Sequence, residues 1–427
     1  MTNTNNSLLF ACLLFCQTAA FASVDVVPGL VGFGTKTPAG RGGQIIRVIN
    51  LLDSGPGSLR HAVETEGPRT VIFEVGGSIQ LQSDLKVRYP FITIAGQTAP
   101  SPGVTLRGAG IKISTHDVLL QHLRVRVGDL PNGPSFDSRD GIGLRGERSG
   151  FEGAANVVID HCSISWATDE GIDTWFPGVR DVTISASIIS ENLSDSRHSK
   201  GEHSAGMLIG DGSRNIAVSG NLFAHNMRRN PLVKGDVTAV IVRNLIYNPG
   251  KSAIELTDPE NSGDSFVTIS GNVMIPGRNT EHNMQLVRLS PTVAEGSRIF
   301  SAGNRYSHSQ PDGLGVDHVG AKHHTDIPPI WIEGYPLPSH TKPDSILRNV
   351  GARPRDRDAV DKRVVLEVLT HRGRVINSQQ VVELGDQPPS ARHVLSLPKD
   401  PNGDNDGNGY TNLEEWLHTM AENLMVQ

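Results

Sequence analysis

Short runs with apolar residues at alternate positions recur along the first three quarters of the chain. Such runs are typical of β-strands, because successive side chains of a strand point to opposite faces of a sheet. Many of the runs share one pattern, with apolar residues at the first and third positions and a turn after the sixth. These runs begin at Ile92, Val118, Val157, Val182, Ile216, Ala239 and Val267.

The spacing of these runs predicts a solenoid. The shortest interval separates Asn221 from Asn244, which gives a base period in the low twenties with insertions in the longer coils. We therefore expect an all-β fold, a right-handed parallel β-helix, with the recurring asparagines stacked as a ladder. A β-sandwich is the competing fold, but the Asn-Gly and Asp-Gly hairpin turns that it favours are scarce between the runs.

After about residue 300 the strand pattern fades. Asp358 to His371 has its valines on one helical face, which predicts an amphipathic helix packed on the solenoid. We divide the chain into an export signal at residues 1–22, a solenoid at 23–335, a packed segment at 336–395 and a calcium-loop tail at 396–427.

The tail carries a complete EF-hand-like pattern, D-x-[DN]-x-[DN]-G-x5-E, followed by a short amphipathic helix. Acidic and amide side chains at the ligand positions of such a loop bind Ca²⁺, together with the carbonyl oxygen of Tyr410. A flexible polar tail is the alternative. The predicted side-chain ligands are Asp404, Asp406, Asn408, Asn412 and Glu415.

Composition narrows the functional class. The net charge of -6 gives no general attraction for nucleic acid, so an acidic partner would have to meet local cations or a metal. Leu8 to Phe15 is apolar and is followed by a small-residue cleavage pattern ending at Ala22, which predicts export to the periplasm or medium. We expect Cys162, the one cysteine left after cleavage, to be a buried apolar residue, and we expect a monomer without a membrane span.

Three aspartates lie within a short stretch that opens as one of the strands. Asp160 lies within that strand, and Asp169 and Asp173 come soon afterwards, with Glu170 beside them. Carboxylates this close repel one another unless a cation lies among them, and an all-oxygen ligand set suits a hard cation such as Ca²⁺. A solvated acidic loop is the alternative. Asp140, in an Arg-Asp-Gly sequence, is a further candidate ligand.

Basic residues occur on the coils that follow. The segment from Phe223 to Gly235 carries Arg229 and Lys234, and counting coils places both on the same face as the aspartates. The inserted loop from Asn192 to Gly210 adds further basic groups. A surface network of salt bridges is the alternative. The basic groups of the loop are Arg197, His198, Lys200 and His203.

These motifs, taken together and in order, resemble the pectate lyases of polysaccharide lyase family 1. The Asp-His of the family's strand motif is similar to Asp160-His161, and its Asp-x-x-x-Asp pair to Asp169 and Asp173. Its Arg-x-Pro-x-x-Arg motif is similar to the segment from Arg229 to Lys234, although lysine replaces the second arginine. The segments Gly57 to Arg60 and Ile94 to Pro100 also resemble secreted members.

The resemblance implies a Ca²⁺-dependent β-elimination of polygalacturonate or a related acidic polysaccharide. It implies that Asp160, Asp169 and Asp173 hold Ca²⁺ and that Arg229 takes the proton from C5 of the uronate. Lys200, His203 and Lys234 become expected substrate contacts. Because lysine lacks the guanidinium fork, the exact uronate and its methylation state stay open.

Two other functions remain possible at this stage. A glycoside hydrolase on the same fold would use a pair of carboxylates, which Asp169, Glu170 and Asp173 could provide. A polysaccharide-binding solenoid without catalysis would need none of these groups, because a fold does not determine a function.

Overall fold

The structure is a computed structural model that describes residues 24–147, 153–175, 177–306, 317–338, 341–382 and 388–426. The predicted export signal at residues 1–22 lies outside the described residues. Among the residues that are described, no helix has the length and apolar character needed to cross a bilayer.

The chain winds through three sheets, and each coil adds one strand to every sheet. All strand pairs within the three sheets are parallel, consistent with the predicted right-handed parallel β-helix. Sheet A contains, in spatial order, β1 (Gln44–Val48), β2 (Arg69–Phe73), β5 (Ile92–Ala95), β8 (His116–Gln121), β11 (Ala155–Asp160), β14 (Arg180–Ser185), β17 (Arg214–Ser219), β20 (Thr238–Val242), β23 (Phe266–Ser270) and β26 (Arg298–Ala302).

The other two sheets close the solenoid. Sheet B contains β3 (Gly77–Gln80), β6 (Val104–Arg107), β9 (Arg124–Arg126), β12 (Ser163–Ser165), β15 (Ile188–Ser190), β18 (Leu222–Ala224), β21 (Leu245–Tyr247), β24 (Val273–Ile275) and β27 (Arg305–Tyr306). Sheet C contains β4 (Leu85–Val87), β7 (Ile111–Ile113), β10 (Ile142–Arg145), β13 (Glu170–Trp175), β16 (Ala205–Ile209), β19 (Leu232–Val233), β22 (Ile254–Leu256), β25 (Val287–Leu289) and β28 (Asp317–His318).

The predicted asparagine ladder lies at the corner between sheets A and B. The side-chain amide of Asn221 donates to Asn244 at 3.0 Å, and that of Asn244 donates to Asn272 at 2.9 Å. The same amides also donate to carbonyl groups at the end of sheet A, such as Ile184 O at 3.0 Å. The ladder satisfies buried polar groups at a turn where the strand hydrogen bonds end.

The described residues include four α-helices beside the solenoid. The helix predicted at Asp358 to His371 is present, and Asp358 caps it by accepting from Asp361 N. Three helices belong to the C-terminal part of the chain. The helices are α1 (Leu59–Val63), α2 (Pro343–Asn349), α3 (Ala359–Leu369) and α4 (Asn412–Glu422).

The C-terminal helices cover two of the three sheets. Helices α2 and α3 pack on sheet B, where Val364 and Val368 join a buried cluster with Leu222 and Leu245. Helix α4 packs on sheet A, where Leu417 contacts the cluster around Ile72 and Ala95. Apolar burial of about 25 cal/mol per Å² holds the tail on these faces.

Sheet C has a different outer face. Its inward residues, such as Ile111 and Ile172, belong to the apolar core. Alternation then directs the intervening residues outward, and these include Lys112, Asp173 and, two sheet positions beyond β16, Glu255. A row of charged groups therefore lies on the face of the solenoid to which α2, α3 and α4 do not contribute.

Candidate active site

The candidate site lies on the outer face of sheet C, at the ends of neighbouring strands. Asp140 lies two residues before β10, Asp169 directly precedes β13, Glu170 is the first residue of β13, and Arg229 precedes β19. Because parallel strands place equivalent positions of successive coils side by side, residues distant in sequence meet here.

Carboxylate groups converge in this site. One oxygen from each of Asp140, Asp169 and Glu170 lies within 4.8 Å of the others. Asp140 and Glu170 are buried, and the Glu170 backbone N–H donates to Asp140 Oδ1 at 3.2 Å. Oxygen ligands in this number and arrangement are suited to a hard divalent cation.

Cations flank the carboxylates on the neighbouring strands. Arg145, at the end of β10, forms ion pairs with Asp173 and, at 3.0 Å, with Asp140. Lys112, on β7, forms an ion pair with Asp140 as well. The guanidinium therefore bridges two carboxylates that belong to adjacent coils.

Asp173 is the least satisfied carboxylate of the group. Burial, followed by the charge of Asp140, raises the pKa of Asp173 to about 7, although Arg145 and Lys112 oppose this shift. Among the described residues, Asp173 Oδ1 is buried and has no hydrogen-bond partner. A buried unpaired oxygen is costly, and a bound cation would satisfy it.

Arg229 lies across from these acids. Its side chain forms an ion pair with Glu170, and its backbone N–H donates to Ser252 Oγ at 3.2 Å. Burial lowers the pKa of Arg229, while the charges of Asp169 and Glu255 oppose the shift. Desolvation is therefore the cause that shifts Arg229 towards its neutral form.

The inserted loop between β15 and β16 reaches the same place. His203 Nε2 lies 2.8 Å from Asp169 Oδ1, and His198 Nε2 lies 3.6 Å from it. The two imidazole rings stack with centroids 4.1 Å apart. Lys200 is exposed on the loop, and its backbone N–H donates to His198 Nδ1 at 3.1 Å. The structure thus brings His203 to the site and places Lys200 on the exposed part of the loop.

Asp160 does not join the other aspartates. It ends β11 on sheet A, and its carboxylate accepts hydrogen bonds from Ser185 Oγ at 2.7 Å, from Gln121 Nε2 at 3.0 Å and from His161 Nδ1 at 2.8 Å. Burial alone would raise the pKa of Asp160, but these partners hold it below the usual range. The expected cluster of Asp160 with Asp169 and Asp173 is therefore not formed, because the chain turns two corners between β11 and β13.

Lys234 also lies away from this group of acids and forms ion pairs with other carboxylates. It follows β19 and lies 2.6 Å from Glu260 Oε2 and 3.3 Å from Asp211 Oδ2. Asp258 belongs to the same acidic group. The charge of Lys234 is therefore balanced by carboxylates of neighbouring coils, at the opposite end of β19 from Arg229.

In the tail loop, hydrogen bonds join three of the five predicted side-chain ligands, Asp406, Asn408 and Glu415. The Asn408 amide donates to Asp406 Oδ2 at 3.0 Å and to Glu415 Oε1 at 2.8 Å, and Asp404 accepts from the backbone N–H groups of Gly407 and Gly409. Asn412 differs, because its amide donates to the carbonyl group of Asp400 at 2.7 Å. It thus supports the turn before the loop.

Sequence reasoning missed Arg145 and Lys112 and gave Glu170 no role of its own. A signal for the first two was present, because each occupies an outward position in an alternating run, next to inward Leu144 and Ile111. Their proximity to Asp140 and Asp173 depends on the register between coils. That register cannot be counted reliably through insertions of varying length.

Fold and site together define an enzyme-like β-helix, with buried carboxylates and an arginine on one open sheet. No family model matches the chain. The chain is 32% identical over 429 residues to "Probable pectate lyase C" of Aspergillus flavus, which spans 92% of this chain and 93% of that protein. It is 34% identical over 303 residues to the protein of the same name from Aspergillus terreus, which spans 70% of this chain and 62% of that protein.

Solved structures show the same fold. Jun a 1, the major allergen from cedar pollen, superposes with a TM-score of 0.58 at 19% identity, over 75% of this chain and 92% of that chain. Pectate lyase Bsp165PelA from Bacillus sp. N165, solved in complex with trigalacturonate, gives a TM-score of 0.52 at 14% identity, over 76% of this chain and 98% of that chain. The chain belongs to the pectate lyase family and is a polysaccharide lyase.

Proposed function

We propose that this lyase cleaves pectate, or a closely related polyuronate, by β-elimination on the outer face of sheet C. The observation that carries the proposal is the group of Asp140, Asp169 and Glu170, which Arg145 links to the unpaired Asp173 oxygen and which lies beside the partly buried Arg229. The polyuronate substrate is inferred from the name of the relatives and from the trigalacturonate bound to Bsp165PelA.

Ca²⁺ is the cofactor that these residues fit. Asp140, Asp169, Glu170 and Asp173 would hold it, and the unpaired Asp173 Oδ1 gives an independent reason to place a cation there. When bound, Ca²⁺ supplies Lewis-acid polarisation of the uronate carboxylate, which acidifies the proton at C5. Asp160 is not part of this proposal, because its oxygens are already occupied.

Arg229 is the proposed base. It accepts the proton from C5, the electrons of that C–H bond form the C4–C5 double bond, and the glycosidic C4–O bond breaks with its electrons on the leaving oxygen. Proton transfer by a positioned group contributes about 10²- to 10⁴-fold to a rate. Burial of Arg229 favours the neutral guanidine that this role requires.

The surrounding residues position these groups. Glu170 positions the Arg229 side chain by direct contact with its guanidine group, and His203 holds the Asp169 carboxylate from the inserted loop. Arg145 fixes Asp140 relative to Asp173. Lys200, exposed at the rim, is available to meet a carboxylate of the polymer.

The tail loop is proposed as a second, structural Ca²⁺ site formed by Asp404, Asp406, Asn408 and Glu415. Its support is the pair of hydrogen bonds that join Asp406, Asn408 and Glu415 beside the capping box of α4. We further propose export with cleavage after Ala22, which rests on the apolar segment and small-residue pattern at residues 1–22.

Family membership favours lysis over the two alternatives, hydrolysis and binding without catalysis. The experiment that separates them follows the ultraviolet absorbance of unsaturated uronate ends when purified protein meets polygalacturonate. We expect a Ca²⁺-dependent rise that a chelator abolishes and that Arg229→Ala reduces at least about a hundredfold. New reducing ends without that absorbance would instead indicate a hydrolase.

Arg243→Ala is the matched control for this substitution. Arg243 also lies in a turn after a strand, on sheet A, where its guanidinium lies over the Tyr335 ring at 5.1 Å from the centroid. We expect the control to keep the wild-type rate, so that a loss confined to Arg229→Ala reports the site. Equal rates for Arg229→Ala and the wild type would refute the proposed base.

A further inference from the structure

A cleft separate from the group of carboxylates lies on the C-terminal side of Arg229. It has a volume of about 210 Å³ and lies between the start of β22 and the segment that leads into β25. Asn230 N donates to Ala253 O at 2.9 Å, and the Arg229 N–H donates to Ser252 Oγ, so the wall of the cleft begins one coil beyond the proposed base. Neighbouring coils are about 4.8 Å apart.

The cleft combines an apolar floor with polar walls. Ala253 and Met284 are buried at its base, and Ser252 and Gln285 add a hydroxyl group and an amide. A sugar ring presents an apolar CH face together with hydroxyl groups at its edge. Floor and walls together are therefore suited to a sugar, because each part of the ring would meet a surface of matching polarity.

Two cations make the cleft suitable for an acidic sugar. Lys251 and Arg288 line it and are about half exposed, with side-chain exposures of 43% and 52%. Lys251 forms an ion pair with Glu202 of the inserted loop, and Arg288 forms one with Glu255. Exposed ion pairs of this kind contribute about 0–1 kcal/mol, so exchange of either partner for a ligand carboxylate costs little.

We propose that this cleft binds an additional uronate unit of the polysaccharide, with Arg288 and Lys251 holding its carboxylate. The inference rests on the proposed function, because it assigns a further part of the same substrate to the same face. A guanidinium binds a carboxylate through two parallel hydrogen bonds, which gives the subsite a preference for an unesterified uronate over its methyl ester.

The test compares Lys251→Gln/Arg288→Gln with the wild type and with Lys322→Gln. Lys322 is an exposed lysine paired with Glu295 at 2.9 Å, so its substitution matches the chemistry without touching the cleft. We expect the double variant to raise KM for polygalacturonate about tenfold while kcat stays within about twofold, and the control to change neither. An unchanged KM in the double variant would overturn the subsite.

Binding measured without turnover separates this inference from the proposed reaction. Calorimetry with trigalacturonate, in an Arg229→Ala background, should show weaker binding in the double variant but not with Lys322→Gln. If the wild type binds trigalacturonate through Lys251 and Arg288 but forms no unsaturated product, the proposed reaction fails and the subsite stands. If unsaturated product forms and the double variant binds as tightly as the background, the subsite alone fails.

Discussion

Two outer faces of the solenoid carry a buried aspartate, and they differ in how many hydrogen bonds and ion pairs that aspartate forms. On sheet A, beneath α4, the carboxylate of Asp160 accepts three side-chain hydrogen bonds. On sheet C, Asp173 has an ion pair at one oxygen and a buried, unpaired second oxygen. A buried carboxylate whose oxygens all accept hydrogen bonds therefore stabilises the fold, while one with an unpaired oxygen is available to a ligand.

The same contrast holds for the pKa values. The hydrogen-bond partners of Asp160 lower its pKa in spite of burial, so the ionised form is already stabilised by the protein. The pKa of Asp173 is raised to about 7 by burial and by Asp140, so its ionised form lacks stabilisation that a cation would supply. The pKa directions therefore agree with the hydrogen-bond geometry on both faces.

The largest expected effect comes from exchanging the two aspartates for asparagine. Asp173→Asn should lower lyase activity about a hundredfold with little loss of stability, because it removes a ligand and no saturated network. Asp160→Asn should cost roughly 3 kcal/mol of unfolding free energy, because hydrogen bonds to a buried charge are weakened, and the folded fraction should keep its activity. Urea unfolding and the absorbance assay on both variants check this prediction.

The proposed difference between Asp160 and Asp173 would be refuted if the outcomes for the two variants were reversed. A stable but inactive Asp160→Asn variant would place the chemistry on sheet A, and the assignment of the site to sheet C would then be wrong. Ser185→Ala removes one hydrogen bond to Asp160 without changing charge, and it should show a smaller loss of stability in the same direction.

The next prediction concerns the dependence of stability on pH, and it involves a histidine beside sheet A. Burial, together with His161, lowers the pKa of His122 to about 3, and its Nδ1–H donates to Ala352 O at 2.7 Å. Unfolded histidine binds a proton below about pH 6.5, whereas folded His122 does not until about pH 3. The unfolded state therefore binds more protons in this window, and stability contributed by His122 is lost as pH falls through it.

We expect His122→Gln to reduce this dependence. Between pH 7 and pH 4 the wild type should lose roughly 3 kcal/mol more unfolding free energy than the variant. Urea unfolding in chelator at both pH values measures the difference. A variant that loses as much stability as the wild type would show that His122 is not buried in its neutral form.

The smallest effect concerns the tail. Ca²⁺ at about a hundredfold above its Kd should stabilise the protein by about 2.7 kcal/mol through the loop at residues 404–415. Glu415→Gln should remove that gain and leave the initial rate at saturating Ca²⁺ unchanged, because α4 packs on sheet A. Thermal unfolding with and without Ca²⁺ checks this, and Glu422→Gln, at the other end of α4, is the control.

A large part of the fold could be predicted from the sequence. The alternating runs indicated stacked coils, the asparagine ladder followed from their sixth residues, and the helix after Asp358 followed from its apolar face. These features depend on local periodicity, which is written in consecutive residues. The placement of α2 and α3 on sheet B depends on long-range packing and could not be read in the same way.

The grouping of residues on the outer face of sheet C could be predicted only in part. Asp140, Asp169, Asp173 and Arg229 were all named from sequence, and the structure places them on one face. Asp160 is near these residues in sequence. The alternation of apolar and polar residues, however, shows only whether a side chain points inward, and does not show which of the three sheets its strand joins. The partners of Lys234 come from other coils, so its engagement with Asp211 and Glu260 was equally invisible.

The most direct test of the account is a crystal structure of the protein grown with Ca²⁺, with the ions located by their anomalous scattering. We predict a peak on sheet C coordinated by Asp140, Asp169, Glu170 and Asp173, and no peak beside Asp160. A Ca²⁺ ion bound at Asp160, with the sheet C carboxylates still held by Arg145 and Lys112 alone, would contradict the assignment of the active site.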